Sequence, residues 1–177
     1  MKFATGLLTL TLAYSAFAEP IPAKKRALAD YQGVFDDISA QVATVSDTVA
    51  SYVGGSADGD AVQAASDKLV TVINDGATAI PDFDPLENAD ALALVSPIQD
   101  LTGDVSDLVD AVIDAKPNFQ DDGRAADVLS SLQDQKAASV SLRDAITPKV
   151  PDALQDIASD LADGIVSEIQ RGIDAYA

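Results

Sequence analysis

The strongest constraint on this chain is the spacing of its apolar residues. Leu28, Tyr31, Phe35, Ile38, Val42, Val45, Val49 and Tyr52 step by three and four in strict alternation, which puts all eight on one face of a helix and on no face of a strand. At 1.5 Å per residue that helix runs about 36 Å. Gly54-Gly55 and Gly59 end it, and Asp60 is a start signal for the next. The pattern recurs four more times. Val62, Ala65, Leu69, Val72, Ile73 and Ile80 stop at Pro81-Asp82-Phe83-Asp84-Pro85, where two prolines forbid continuation. Ala91, Leu94, Ile98, Leu101, Val105, Leu108, Val112 and Ala115 run up to Pro117. Pro97 falls inside this third helix. Either Ser96 caps a new helix there, or the helix continues with a kink, and the unbroken register favours the kink.

After a loop over Asn118 to Gly123, a fourth helix reads through Ala125, Val128, Leu129, Leu132, Leu142 and Ile146, with Gln135 and Ser139 on its seam. A fifth begins at Pro151-Asp152 and carries Leu154, Ile157, Leu161, Ile165, Ile169 and Ile173. No strand pattern competes. The expectation is an all-α, up-down bundle of about five long amphipathic helices with antiparallel neighbours, since short connections favour that arrangement.

The bundle is preceded by a leader. Lys2 introduces an uncharged stretch from Phe3 to Ala18 that closes on Ala16-Phe17-Ala18, the small-x-small pattern of signal-peptidase sites. Residues 1–18 are therefore read as a signal peptide, too short to span a membrane, and the product as secreted and extracellular. Lys24-Lys25-Arg26 supports two readings: a processing site that makes 19–26 a propeptide ending at Lys25-Arg26, or an ordinary solvated basic cluster. Residues 27–177 then form one helical domain, large enough for a core without disulfides; the chain has no Cys. Gly172-Ile173-Asp174-Ala175-Tyr176-Ala177 lacks the spacer and apolar tail of a lipid anchor. Asn74, Asn88 and Asn118 are not followed by Ser or Thr two residues on, so N-linked sugar is not expected.

Composition argues against several functions. A net charge of −18 repels nucleic acid and anionic membranes, so neither is an expected partner. With no His, no Cys and no nucleophile motif, general acid–base and covalent catalysis lack their usual groups, and no catalytic residue is assigned. Asp100, Asp104, Asp107 and Asp114 form one stripe, and Asp152, Asp156, Asp160 and Asp163 another; both read as solvated faces. Asp58-Gly59-Asp60, Asp82-Phe83-Asp84 and Asp121-Asp122-Gly123 lack the ligand series of a calcium loop, so neither metal nor cofactor is expected.

Attention therefore turns to the interior. Ala, Val and Ser stand at many inward positions, and aromatics are only 5% of the chain. The helices either approach closely or leave a lengthwise apolar cavity. Burial at about 0.8 kcal/mol per CH₂ would give a chain of fifteen methylenes about 12 kcal/mol before ordering costs. The lipid-contact candidates are Leu94, Ile98, Leu101, Leu132, Gln135, Ser139, Leu142 and Leu161. Gln135 and Ser139, one turn apart, would hydrogen-bond a polar head; the alternative puts both at a bundle edge facing water.

From about Ala27 to Tyr176 the chain also resembles the fungal hydrophobic surface-binding protein A family, which includes cell-wall galactomannoproteins. The resemblance is carried by Asp90-Ala-Leu-Ala-Leu-Val-Ser-Pro97, Leu129-Ser-Ser-Leu-Gln-Asp-Gln-Lys136, Lys149-Val-Pro-Asp-Ala-Leu154 and Gly172-Ile-Asp-Ala-Tyr176. It implies a small secreted protein of filamentous fungi that adsorbs to hydrophobic solid surfaces and recruits secreted polyester hydrolases. Some relatives resemble carriers of long-chain fatty acids held inside a five-helix bundle; others are structural wall mannoproteins. Family members often carry a Ser/Thr-rich tail or an anchor, and this chain departs from that pattern by ending at Ala177, which weakens the implication of covalent wall attachment.

Overall fold

The structure, a computed structural model, describes residues 23–177. The leader assigned to 1–18 and residues 19–22 of the stretch 19–26 lie outside them. Five long helices make up the fold: α1 (Ala23–Ala50), α2 (Ser56–Ala79), α4 (Val95–Asp114), α6 (Ala125–Ile146) and α7 (Gln155–Tyr176). Two six-residue helices, α3 (Asn88–Ala93) and α5 (Lys116–Asp121), lie between them, and no strand occurs among the described residues. α1 extends over the basic triplet Lys24-Lys25-Arg26.

The seam of α1 is the core expected of it: Tyr31, Phe35, Ile38, Val42, Val45, Val49 and Tyr52 are all buried. Gly54 and Gly55 turn the chain with φ of 102° and 107°, a conformation that a side chain would strain. Gly59 has another part to play, since α2 already begins at Ser56 and Gly59 is buried in its first turn.

At Pro97 the helix breaks instead of kinking. Pro97 lacks the N–H that would bond the carbonyl four residues back, and its ring crowds that carbonyl. The chain resolves this by ending α3 at Ala93 and starting α4 at Val95, with Pro97 in the first turn, where no intrahelical donor is needed. The Ile98 N–H then bonds the Leu94 carbonyl at 3.1 Å. Ser96 makes no capping bond. The stretch expected as a loop over Asn118 to Gly123 holds most of α5, which buries Phe119 to 1% exposure. Gly123, with φ 70°, closes α5 in a Schellman arrangement: the Arg124 N–H bonds the Phe119 carbonyl at 2.7 Å and the Gly123 N–H that of Gln120 at 3.0 Å.

Helix directions alternate along the chain, but neighbours in sequence are not always neighbours in space. The five long helices pack in a closed ring, in the order α1, α2, α6, α7, α4 and back to α1. Only α1/α2 and α6/α7 are antiparallel hairpins. Gln63 on α2 reaches Ser131 on α6, each about two turns from its helix start, so that pair runs parallel. The connections 80–94 and 115–124 are long enough to carry the chain across the ends of the bundle, which frees α4 to close the ring between α1 and α7. Small residues permit close contact in places: a Cβ on Gly76 would meet Val34 Cγ1 at 2.6 Å.

Candidate functional site

A ring of five helices has a centre that none of its members fills, and here it is a lengthwise cavity. On α4 its lining runs from Val95 to Val112, about 26 Å at 1.5 Å per residue. The space free to the centre of a water-sized sphere is about 110 Å³, within about 1560 Å³ of atom-free volume that includes the mouth. A single water needs roughly 10–15 Å³ on the first measure, so the interior has room for a guest. The wall is overwhelmingly apolar, built from the inward seams of all five long helices.

One end is closed. Phe119 lines the cavity and stacks on Tyr52, their rings 4.3 Å apart and 12° from parallel. The Tyr52 hydroxyl donates to the Asp122 carboxylate, which also accepts the Gly55 N–H at 2.6 Å. These bonds hold the Asp122 carboxyl below its ordinary range, the Tyr52 hydroxyl contributing most. Burial, and then the bond to Asp122, pushes Tyr52 up to about 12. The Tyr176 hydroxyl donates to the Val112 carbonyl at 2.7 Å, burial raising its pKa as well, and Lys116 Nζ caps the Ala175 carbonyl at 2.5 Å.

The other end is open. Leu92 on α3 and Ile157 on α7 line the cavity yet are 56% and 51% exposed, so the cavity reaches solvent between them. α3 has no buried residue, and Leu154 just before α7 and Leu161 and Ile165 on its first half are only half-buried. Nearby, the cross-connections are tied down. Tyr31 bonds the Asp84 carbonyl at 3.1 Å and packs edge-on against Phe83, while burial, followed by Asp84 and Asp30, lifts it to about 12. Lys149 Nζ donates to the carbonyls of Pro81 and Phe83 at 2.6 and 2.8 Å.

All eight candidates from the sequence line this cavity: Leu94, Ile98, Leu101, Leu132, Gln135, Ser139, Leu142 and Leu161. Gln135 does not stand at a water-facing edge; it is 6% exposed. Its amide makes no hydrogen bond to another described residue, and neither does the hydroxyl of Ser139 or of Ser66, which is 5% exposed on the cavity wall. Since no sealed side-chain N or O atom lacks a partner among the described residues, these groups face the cavity space. One turn away, Gln63 and Ser131 satisfy each other at 3.1 Å. Arg143 also lines the cavity, but its guanidinium is engaged by Asp163 at 2.6 Å and Asp144 at 2.9 Å. The polar centre of the cavity is thus neutral, with unspent capacity at Gln135, Ser139 and Ser66. Ser66, Phe119 and Arg124 escaped the sequence reading: Ser66 breaks an apolar seam, Phe119 hides in a Pro-containing hexapeptide, and Arg124 carries no periodic signal.

No helix of the described residues is long and apolar enough to cross a membrane. The acidic stripe of α4 is exposed along its length, and on α7 only Asp163 turns partly inward, to Arg143.

Comparison with known proteins supplies the context. The profile of the family described as Hydrophobic surface binding protein A matches residues 28–148. Over 176 residues, 99% of its length, the chain is 44% identical to Cell wall mannoprotein 1 of Aspergillus fumigatus and 38% identical to that of Aspergillus flavus. It spans 60% and 63% of those proteins. Among solved structures it is similar to ligand binding domain 2 of the Penicillium marneffei MP1 protein, complexed with multiple arachidonic acids. That match has a TM-score of 0.80 at 34% identity and covers 85% of this chain and 96% of that one.

Proposed function

The chain belongs to the hydrophobic surface binding protein A family, and on that premise we propose that it is a non-enzymatic binding protein whose cavity holds a long-chain fatty acid lengthwise. The observation that carries the reading is the pairing of an apolar cavity, closed at one end, with a buried amide at Gln135 that no described residue satisfies. No side-chain N or O atom sealed from water lacks a partner among the described residues, so the unbonded amide faces the cavity space; a carboxyl head there would bond Gln135, Ser139 and Ser66 at about 0.5–1.5 kcal/mol per hydrogen bond. The tail then runs toward the closed end, where Val105, Leu108, Val109, Val112 and Ile169 are all buried, whereas toward the mouth the lining residues Leu92 and Ile157 are half exposed. The arachidonic acid complex of the MP1 domain supports the choice of ligand class.

The test is native mass spectrometry of delipidated protein reloaded with palmitic acid. Retention at fixed stoichiometry is expected, with affinity falling about fivefold in Gln135→Leu, the equivalent of one hydrogen bond at about 1 kcal/mol. Wild-type protein that takes up no fatty acid would sink the proposal.

A second reading, adsorption to hydrophobic solids, is favoured by Leu92 and Ile157, whose exposed side chains continue the apolar wall outward. Polymer beads should deplete the protein from solution, less so after Leu92→Ser with Ile157→Ser; equal depletion by both forms counts against that surface. We place the protein outside the cell, at the wall, a location supported by the mannoprotein relatives and by the leader pattern at Lys2–Ala18. Recovery from the cytosolic fraction would contradict it.

A further inference from the structure

We propose that Arg124, seated on Gly59, plugs the inner end of the cavity and sets the longest acyl chain it accepts; this rests on the fatty-acid reading above. Arg124 lines the cavity where the ends of α1 and α4 meet the starts of α2 and α6. Its guanidinium lies across the first turn of α2, with Nη2 bonded to the Ser56 carbonyl at 3.1 Å and to Asp60 at 2.5 Å. The position exists only because residue 59 has no side chain: a Cβ there would fall 2.3 Å from Arg124 Nε. This gives the buried Gly59 a purpose that a helix start does not require. The wall beside the plug is thin, since Asp127, one turn along α6, is exposed and still lines the cavity.

The head site lies on α6, and the plug is the residue that immediately precedes that helix. From Gln135 back to Arg124, the N-cap of α6, is eleven residues, about 16 Å at 1.5 Å per residue. A head held at Gln135 therefore gives the tail a fixed run before it meets the arginine. Phe119 forms the rest of the floor, backed by the stacked Tyr52, and both are buried too tightly to yield. Arg124 is the part of the floor that is held only by polar contacts at its far end, with its side chain 20% exposed.

The experiment approaches the contact from both sides. Arg124→Ala removes the plug; Gly59→Ala displaces it by crowding Nε; the double variant relieves that crowding and should behave as Arg124→Ala. Each delipidated protein, its helicity checked by circular dichroism, is offered an equimolar set of saturated fatty acids of increasing length and read by native mass spectrometry. Wild type should favour chains up to a limit, and the variants should move that limit upward by about two carbons. Each newly admitted methylene should raise affinity about fourfold, the equivalent of about 0.8 kcal/mol. Folded Arg124→Ala with the wild-type length profile overturns the plug. Loss of all lengths alike in Arg124→Ala, with Gly59→Ala unaffected, makes Arg124 the anchor of the head and also overturns it. Wild type that binds no fatty acid instead fails the reading of the cavity itself, and the plug with it.

Discussion

The two ends of the bundle are built from the same kinds of helix and do opposite things. At the closed end, Phe119 stacks on Tyr52, the Tyr52 hydroxyl and the Gly55 N–H converge on Asp122, and Tyr176 is tied to the Val112 carbonyl. At the open end, α3 buries nothing and Ile157 stands half in water, although the apolar spacing along α7 is as regular there as at Ile169. α7 shows the contrast within one helix: its second half buries Ile169, Gly172 and Tyr176, and its first half buries no residue. The lesson is that amphipathic spacing prepares a face for burial without supplying the partner. Aromatic and polar contacts made across the chain do that at the closed end; at the other, Tyr31 and Lys149 tie down the connections, but the faces of α3 and the first half of α7 are left uncovered for a guest.

The sharpest test of that contrast is Phe119→Ala, which removes a ring 1% exposed and stacked on another. Its loss should cost about 3–5 kcal/mol in chemical denaturation. A cost below about 1 kcal/mol would mean that the closed end is not the rigid one. Tyr52→Phe keeps the stack and deletes the hydrogen bond to a carboxylate, for an expected cost of about 1.5–3 kcal/mol near neutral pH. The same contact predicts the alkaline behaviour. Tyr52 and Tyr31 are raised from 10.0 to about 12, so the folded state holds these protons more tightly than the unfolded one. Their contribution is whole below pH 10 and is lost as pH rises through about 12. Wild type should therefore lose stability from pH 10 upward, and Tyr52→Phe should show less of that loss. Asp122 has the opposite sign: its lowered pKa contributes stability above the ordinary carboxyl value of 3.8 that disappears as pH falls below it.

At the open end the effects shrink. Amide hydrogen exchange should be faster in α3 and in residues 155–165 of α7 than in residues 166–176, and added palmitic acid should slow it chiefly in the first two. Uniform exchange along α7 would erase the distinction between its halves. Ile157→Ser should change unfolding free energy by no more than about 0.5 kcal/mol, as for other exposed positions; a cost of 2 kcal/mol or more, roughly that of a buried side chain, would show that the mouth is closed in solution.

Much of this was legible in the residues. The seam Tyr31 to Tyr52 on α1 and the ends of α6 at Ala125 and Ile146 follow from three-four spacing and from Thr147-Pro148, because burial of an amphipathic face obeys the helical period. Gln135 and Ser139 could be singled out because they interrupt that period. Which way they face could not, since a polar residue on a seam serves equally at an edge or on a cavity wall. Pro97 was readable as a disturbance but not as a break at Leu94, which depends on where the freed backbone groups find partners. Phe119 and Gly59 were misplaced for a common reason: each is explained by a residue distant in sequence, Tyr52 in one case and Arg124 in the other.

What the sequence determined by itself is therefore the local matter: five long helices, their apolar faces, the acidic exterior and the absence of the usual nucleophiles and bases. Propensity and periodicity are properties of neighbours along the chain. The tertiary structure alone decided that α4 inserts between α1 and α7, that the ring so closed leaves a central cavity, and that the cavity is sealed at Phe119 and Arg124 and open at Leu92 and Ile157. Those outcomes depend on contacts between residues 50 to 70 positions apart, such as Gly55 with Asp122 and Gln63 with Ser131, and on whether five packed surfaces together fill the space they surround.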